Sequence, residues 1–369
     1  MDFNIFNVVI LLGAIQGIIF GIYLASRKKK NIFLSIILWV FSLTCISFVL
    51  MDTRIIEQQI ELLFVPLNIL LAFGPSIFFY IKKMTNEKYK LSLKEKLYYL
   101  PVLLQFSLYV FLFLQPASEK IDIYQAYYIN IISPIEQIIS IVYTLVFLMI
   151  SYNLISKYEV WLKDEFSEIK KYTLQWLKRL LAIYIAIWLL WTFTTLLDYF
   201  MYNWQLESVY YYYIYIPLAV FTYWIGFSSY SKKHEDADFE IKQFKRSNDV
   251  IEFEKDTIDA VEKLKQLMTD EKMYLNPDLK LLNLADAANM KSHFVSNVLN
   301  SVVKKNFHDF VNYYRVEEVK KQLLDNKKLK NYTILGVAYE SGFNSKSTFN
   351  DIFKKQTGLT PTQYLKRIT

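Results

Sequence analysis

Between Ile334 and Tyr364 the chain reads ILGVAYESGFNSKSTFNDIFKKQTGLTPTQY, and the spacing within this stretch decides how its last quarter folds. Ile334, Val337 and Ala338 recur at intervals of three and four, which places them on one face of a helix that begins at Thr333. Gly342 supplies the stop, because glycine adopts the left-handed conformation that ends helices. Phe343 packs across the turn and Asn344 or Ser345 caps a second helix, whose inward face is Phe349, Ile352 and Phe353. Lys346, Ser347, Asn350, Asp351 and Lys354 are left facing outward. Two short helices across a tight turn predict a helix-turn-helix.

Upstream, the same pattern occurs once more. Leu281, Leu284, Ala285 and Ala288 share one face, and Asn289-Met290 makes the turn, Asn being at ease in the left-handed region. Ser292 is expected to cap the next helix, with Phe294, Val295, Val298 and Leu299 inward and His293, Ser296, Asn297 and Asn300 outward. Those outward groups are short and polar, suited to base edges or phosphates. Phe307 through Leu324 forms a long amphipathic helix between the copies, able to hold two recognition helices about one DNA turn apart.

Residues 279–365 closely resemble the AraC/XylS-type domain of bacterial transcription regulators. The resemblance is strongest over the stretch quoted above, in Gly342-Phe343, Phe349, Phe353-Lys354-Lys355, Gly358, Thr360-Pro361 and Tyr364. NFHDFVNYYRVEEVKKQLL from Asn306 resembles the family's linker helix, with Arg315 at its usual place. The resemblance implies double-stranded DNA as partner, with Ser292, His293, Ser296, Asn297, Asn300, Lys346, Ser347, Asn350, Asp351 and Lys354 as the contact set. Lys or Arg is common in the family where Asn297 and Asp351 stand. An aspartate repels phosphate yet accepts from a cytosine amino group, so the departure implies altered specificity.

Charge distribution agrees. From Pro277 to Thr369, 13 Lys and 2 Arg stand against 5 Asp and 3 Glu, a net +7 equal to that of the whole 369-residue chain. A basic module on a neutral body suits a polyanion, either nucleic acid or anionic lipid.

The rest of the chain has a different character. With 54% hydrophobic and 21% charged residues and a mean hydropathy of +0.19, part of it belongs in lipid. Seven apolar stretches, near 5–25, 32–50, 63–81, 97–115, 131–151, 179–197 and 209–229, approach the ~20 residues a bilayer requires. The first lacks the basic start and cleavage site of a signal peptide, its positive cluster following the apolar run instead. Basic residues collect in alternate loops: Arg27 to Lys30; Lys82, Lys83, Lys88, Lys90, Lys94 and Lys96; Lys157, Lys163, Lys170, Lys171, Lys178 and Arg179; Lys232 and Lys233. Only Arg54 and Lys120 fall in the others. This bias places the N-terminus outside the inner membrane and the basic module in the cytoplasm.

The expected fold class is therefore all-α: a seven-helix transmembrane sensor over 1–230, a helical linker over 231–276, and tandem helix-turn-helix units over 277–369. In the linker, Ile258, Val261, Leu264, Leu267 and Met268 form one apolar stripe that either packs on the last domain or pairs two chains through residues 250–270. The outer loops, near 51–62, 116–130 and 198–208, are too short for a folded domain, so a small ligand or a membrane partner protein must deliver any signal. Ionisable groups inside spans mark functional sites by default. Glu136, Gln137, Asn68 and Asp198 are the candidates for a shared polar pocket, with plain interhelical hydrogen bonding as the alternative. Tyr210 to Tyr213 and Tyr215 suit an interfacial aromatic belt, with an aromatic ligand cage as the alternative.

A single Cys45 and scattered His234, His293 and His308 leave a metal centre almost no ligands. No phosphate loop, serine elbow or paired-histidine motif points to an enzyme, and no cofactor is expected. The competing reading is a receptor or transporter whose basic tail recruits a protein or anionic lipid.

Overall fold

The computed structural model describes residues 3–27, 31–86, 88–170, 172–203, 206–231, 256–325 and 332–368. The described residues are helices and turns, with a single bridged pair, Phe166 and Lys280, and no strand. They separate into two compact units, Met1–Ile155 with Gln175–Gln243, and Ser156–Leu174 with Phe244–Thr369.

The first unit contains α1 (Ile5–Arg27), α2 (Ile32–Asp52), α3 (Phe73–Thr85), α4 (Leu100–Phe113), most of α5 (Ser133–Glu165), α6 (Gln175–Leu197) and α7 (Tyr212–Ser231). Gly13, Gly17 and Gly21 repeat every four residues along α1 and let it approach its neighbours closely. A Cβ on Gly17 would overlap Ser42 of α2 and Thr222 of α7, and one on Gly13 would overlap Ala219 of α7. Among the described residues, five helical stretches are long and apolar enough to cross a membrane: Ile5–Ser26, Ile32–Asp52, Leu93–Phe113, Ala117–Glu165 and Gln175–Tyr202.

The other two expected spans do not qualify. Over 63–81 the chain remains outside regular helix until Leu70, because Pro66 cannot donate to a helical ladder. The 13-residue α3 then rises only about 20 Å. In α7 the tyrosines and serines lower the apolarity of an otherwise adequate 20-residue helix. The tyrosine run also departs from a simple interfacial belt. Four consecutive helical residues point around the axis, so Tyr210 and Tyr213 are exposed while Tyr212 is buried.

The second unit is built on α11 (Phe307–Leu323). Phe307, Phe310 and Val311 in its first half enter a core formed by α8 (Asp256–Thr269), α9 (Leu281–Ala288) and α10 (Ser292–Val298). Val316, Val319 and Leu323 in its second half enter a separate core with α12 (Ile334–Glu340), α13 (Lys346–Thr357) and α14 (Pro361–Ile368). One helix thus serves two helix-turn-helix cores. The α8 stripe is used on the first of them. Ala260, Leu264, Leu267 and Met268 are buried there, but Ile258 is 63% exposed, one position off the stripe that its sequence spacing suggested. Of the segment proposed for dimerisation, residues 250–255 lie outside the described residues.

Gly342 sits at φ +92°, and a Cβ there would fall on the carbonyl oxygen of Tyr274 and on Leu275 Cα. Gly336 is helical, and a Cβ there would make only ordinary contacts, with Tyr332 Cδ1 at 3.4 Å and Thr333 Oγ1 at 3.5 Å. Gly342→Ala should therefore destabilise the second unit by about 3 kcal/mol, from strain plus overlap. Gly336→Ala should stabilise it by about 0.5–1 kcal/mol. Hydrogen exchange of α11 in the intact chain measures both, and equal effects of the two substitutions would refute the assignment.

Candidate nucleic-acid interface and polar cavity

Local chemistry positions both recognition helices. In the first helix-turn-helix, Asn289 adopts φ +56° and Met290 N–H returns to the Ala285 carbonyl at 2.9 Å, which closes α9. Ser292 is the first residue of α10 and not its cap. That place belongs to Lys291, whose side chain makes no capping bond. In the second helix-turn-helix, Thr333 Oγ1 accepts from Gly336 N–H at 3.1 Å and Ser345 Oγ from Thr348 N–H at 3.4 Å, so Ser345 is the cap of α13. Past Val298 the first recognition helix widens into a π-helical turn, Leu299–Val303, which carries Asn300.

Ser292, His293, Ser296, Asn297 and Asn300 on the first helix, and Lys346, Ser347, Asn350, Asp351 and Lys354 on the second, are exposed or half-buried. Val295, Val298, Phe349 and Phe353 on the opposite faces are buried. The outward set thus forms two polar surfaces, each on a helix anchored by its own core.

Three of the contacts on these helices come from a distant part of the chain. Residues 156–174 belong to the second unit. Asp164 Oδ1 accepts from Asn300 Nδ2 at 3.2 Å, Glu168 Oε1 accepts from Thr348 Oγ1 at 3.1 Å, and Lys170 Nζ lies 3.7 Å from Asp351 Oδ2. Between them Ser167 docks on α11. Its carbonyl accepts from His308 Nδ1 at 2.7 Å and Asn312 Nδ2 at 3.0 Å. A carbonyl cannot donate, so the neutral imidazole carries its proton on Nδ1.

Arg315 completes this junction. Its guanidinium is buried, with Nε donating to the Tyr274 carbonyl at 2.8 Å, Nη2 to the Asn276 carbonyl at 2.7 Å and to Ser167 Oγ at 3.2 Å. Burial pulls its pKa down to about 10, partly offset by the charges of Glu168 and Asp278, so the group remains cationic at neutral pH. Burial also lowers the His308 pKa, and Arg315 adds to this, while Asp309, the Ser167 carbonyl and Glu168 oppose it.

In the first unit, Asn68, Glu136, Gln137 and Asp198 line one cavity of about 360 Å³. Glu136 Oε1 accepts from Asn68 Nδ2 at 3.2 Å and Gln105 Nε2 at 2.5 Å, and its Oε2 from Tyr109 OH at 2.8 Å. Asp198 accepts from Tyr211 OH at 2.7 Å and Leu206 N–H at 3.0 Å. Gln105 and Tyr109 had no sequence signal beyond being polar atoms on apolar helices, and Tyr211 stood out only as one ring of an aromatic run. No Lys, Arg or His lines the cavity among the described residues, whereas Phe48, Tyr124, Tyr128, Trp191 and Tyr215 do. Two π-helical turns, Tyr124–Ile132 and Asp198–Tyr202, contribute to its wall, a winding that recurs at functional sites.

Residues 284–367 match the family model described as "Helix-turn-helix domain", which is of the AraC type. This stretch is a helix-turn-helix domain. The matched family binds DNA and is not an enzyme family, which supports a DNA-binding transcription regulator. No curated protein and no solved structure matches the chain.

The buried imidazole sets a pH dependence. A folded-state pKa below the unfolded value of about 6.5 means that the unfolded chain binds the proton first. The contribution of His308 to stability is then complete above about pH 6.5 and declines as the pH falls below it. Hydrogen exchange of α11, followed in the intact protein and in His308→Gln, isolates this term. The stability advantage of the parent over the variant should shrink on acidification, and an advantage that grew would contradict it.

Proposed function

We propose that the chain is a membrane-anchored, sequence-specific transcription regulator that couples a signal reaching its helical bundle to gene expression. The supporting observation is a matched double helix-turn-helix with both outward faces polar, on a chain whose remaining helices include five apolar enough to span. In this reading residues 1–230 lie in the inner membrane as the sensor, 231–276 connect, and 277–369 bind double-stranded DNA in the cytoplasm. The alternating loop charge supports an outside N-terminus.

The polar cavity is the sensing site in this reading. Two carboxylates, aromatic walls and no described basic residue favour a small ligand that offers hydrogen-bond donors or positive charge. Such a ligand acts only if it prefers one arrangement of the bundle to another.

Crosslinking the intact protein to chromosomal DNA and reading the bound sites tests the central reading, which a lack of enriched sites would refute. Lys354→Ala should weaken binding across all sequences and make the log–log salt slope shallower by about one. Asp351→Ala should instead relax preference at one base pair. Glu136→Gln should abolish the regulated response in cells without weakening DNA binding. A normal response in that variant would remove Glu136 from the sensing role.

A further inference from the structure

Ser167 and Glu168 are buried against a domain more than a hundred residues away in sequence. We infer that residues 164–170 are an intramolecular lock on the DNA-binding face, so that DNA and this loop exclude one another. The inference rests on the DNA-binding reading above and adds the element that regulates it.

The lock touches each part of the domain that a duplex must engage. Asp164 holds Asn300 of the first recognition helix, and Glu168 holds Thr348 in the opening turn of the second. Ser167 is fixed between them on α11, the helix that spaces the two helix-turn-helix cores. A duplex laid across both recognition helices has to cross this interval. It would bring phosphates to groups already satisfied by carboxylates, and Asp164 and Glu168 would repel it.

The two carboxylates therefore stand where phosphate oxygens would accept. The helix N-terminus that receives Glu168 is also the end that favours an anion. The outer pair, Lys170 with Asp351, is solvent-exposed and adds little. Specific hold comes from the buried contacts of Ser167 with His308, Asn312 and Arg315, which a sliding surface loop would not make.

The lock also has a handle. Asp164 lies in the last turn of α5, whose first turn contains Glu136. One continuous helix thus runs from the cavity wall to the loop, so a ligand that altered the packing of α5 at Glu136 would bear on the lock through a single element.

The test uses the full chain in lipid nanodiscs, with duplexes recovered from a random-sequence pool as the probe. Asp164→Asn combined with Glu168→Gln retains shape and removes both charges, and DNA affinity should rise five-fold or more, within the usual range for coupling between sites. Unchanged or weaker binding would overturn the lock. In a second protein, with Cys45→Ala, Glu168→Cys and Thr348→Cys, oxidation should abolish binding and a thiol reductant should restore it. A crosslinked protein that still bound DNA would likewise overturn the lock, even if the first variant failed to fold. No binding by the parent or any variant would instead refute the DNA-binding reading itself, and the lock with it.

Discussion

A guanidinium taken out of water must find acceptors for its donors or be expelled, since moving such an ion into the interior carries a penalty of several kcal/mol. Arg315 meets this constraint with carbonyls. Tyr274 and Asn276 supply them from the segment leading into the first helix-turn-helix, and Ser167 adds a hydroxyl. Gly342, from the turn of the second unit, lies against the same Tyr274 carbonyl, and the ring of Phe343 stands 5.9 Å from the guanidinium carbon. Four separate stretches of chain therefore meet at one charge. An apolar side chain of equal volume would leave the buried Tyr274 carbonyl without this donor group and take the same group from the Asn276 carbonyl. The geometry of α11, and with it the relation of the two cores it serves, follows from keeping those acceptors in place.

The junction is neither purely apolar nor purely ionic. His308 and Asn312 give neutral donors to a backbone carbonyl, while Glu168 provides a carboxylate whose field partly offsets the burial of Arg315. Directional bonds of this kind fix a loop in one register, because a shift of one residue would leave the donors facing nothing. A hydrophobic contact of the same size would tolerate sliding. The polar character of the contact thus accounts for its specificity.

The recognition helices were legible because their rules are local. Asn289 and Gly342 mark left-handed turns, Thr333 caps its own helix, and the inward residues follow a 3.6 period. Ser345 rather than Asn344 as the cap, and Lys291 rather than Ser292, depend on where the chain enters the helix, which spacing alone does not define. The cavity residues Asn68, Glu136, Gln137 and Asp198 stood out as polar side chains in apolar stretches, yet their partners Gln105 and Tyr109 did not, since Tyr and Gln are ordinary at helix surfaces, and Tyr211 read only as one ring of an aromatic belt. Ile258 was placed on the wrong side because the helical stripe of α8 continues through Ala260, too small to register as apolar spacing. Docking of residues 164–170 was invisible for a deeper reason. Its central acceptor is a backbone carbonyl, a group every residue has and no sequence pattern marks.

A regulatory contact must be strong enough to hold and weak enough to release. Moving a two-state equilibrium from 1:99 to 99:1 takes about 5.5 kcal/mol of differential affinity, near the upper limit of what one small ligand supplies. Each hydrogen bond at the Ser167 junction contributes a net ~1 kcal/mol, more where a charge takes part. The exposed Lys170–Asp351 pair contributes a fraction of that. The five bonds made by Ser167, two to the Leu279 carbonyl and one each with His308, Asn312 and Arg315, total about 5 kcal/mol, at the edge of what a ligand preference can overcome. Burying another large apolar side chain under the loop would add about 1.5–3 kcal/mol and move the equilibrium out of reach. The loop instead places Ser167 at the centre of the contact, and the small polar residue there keeps the balance adjustable.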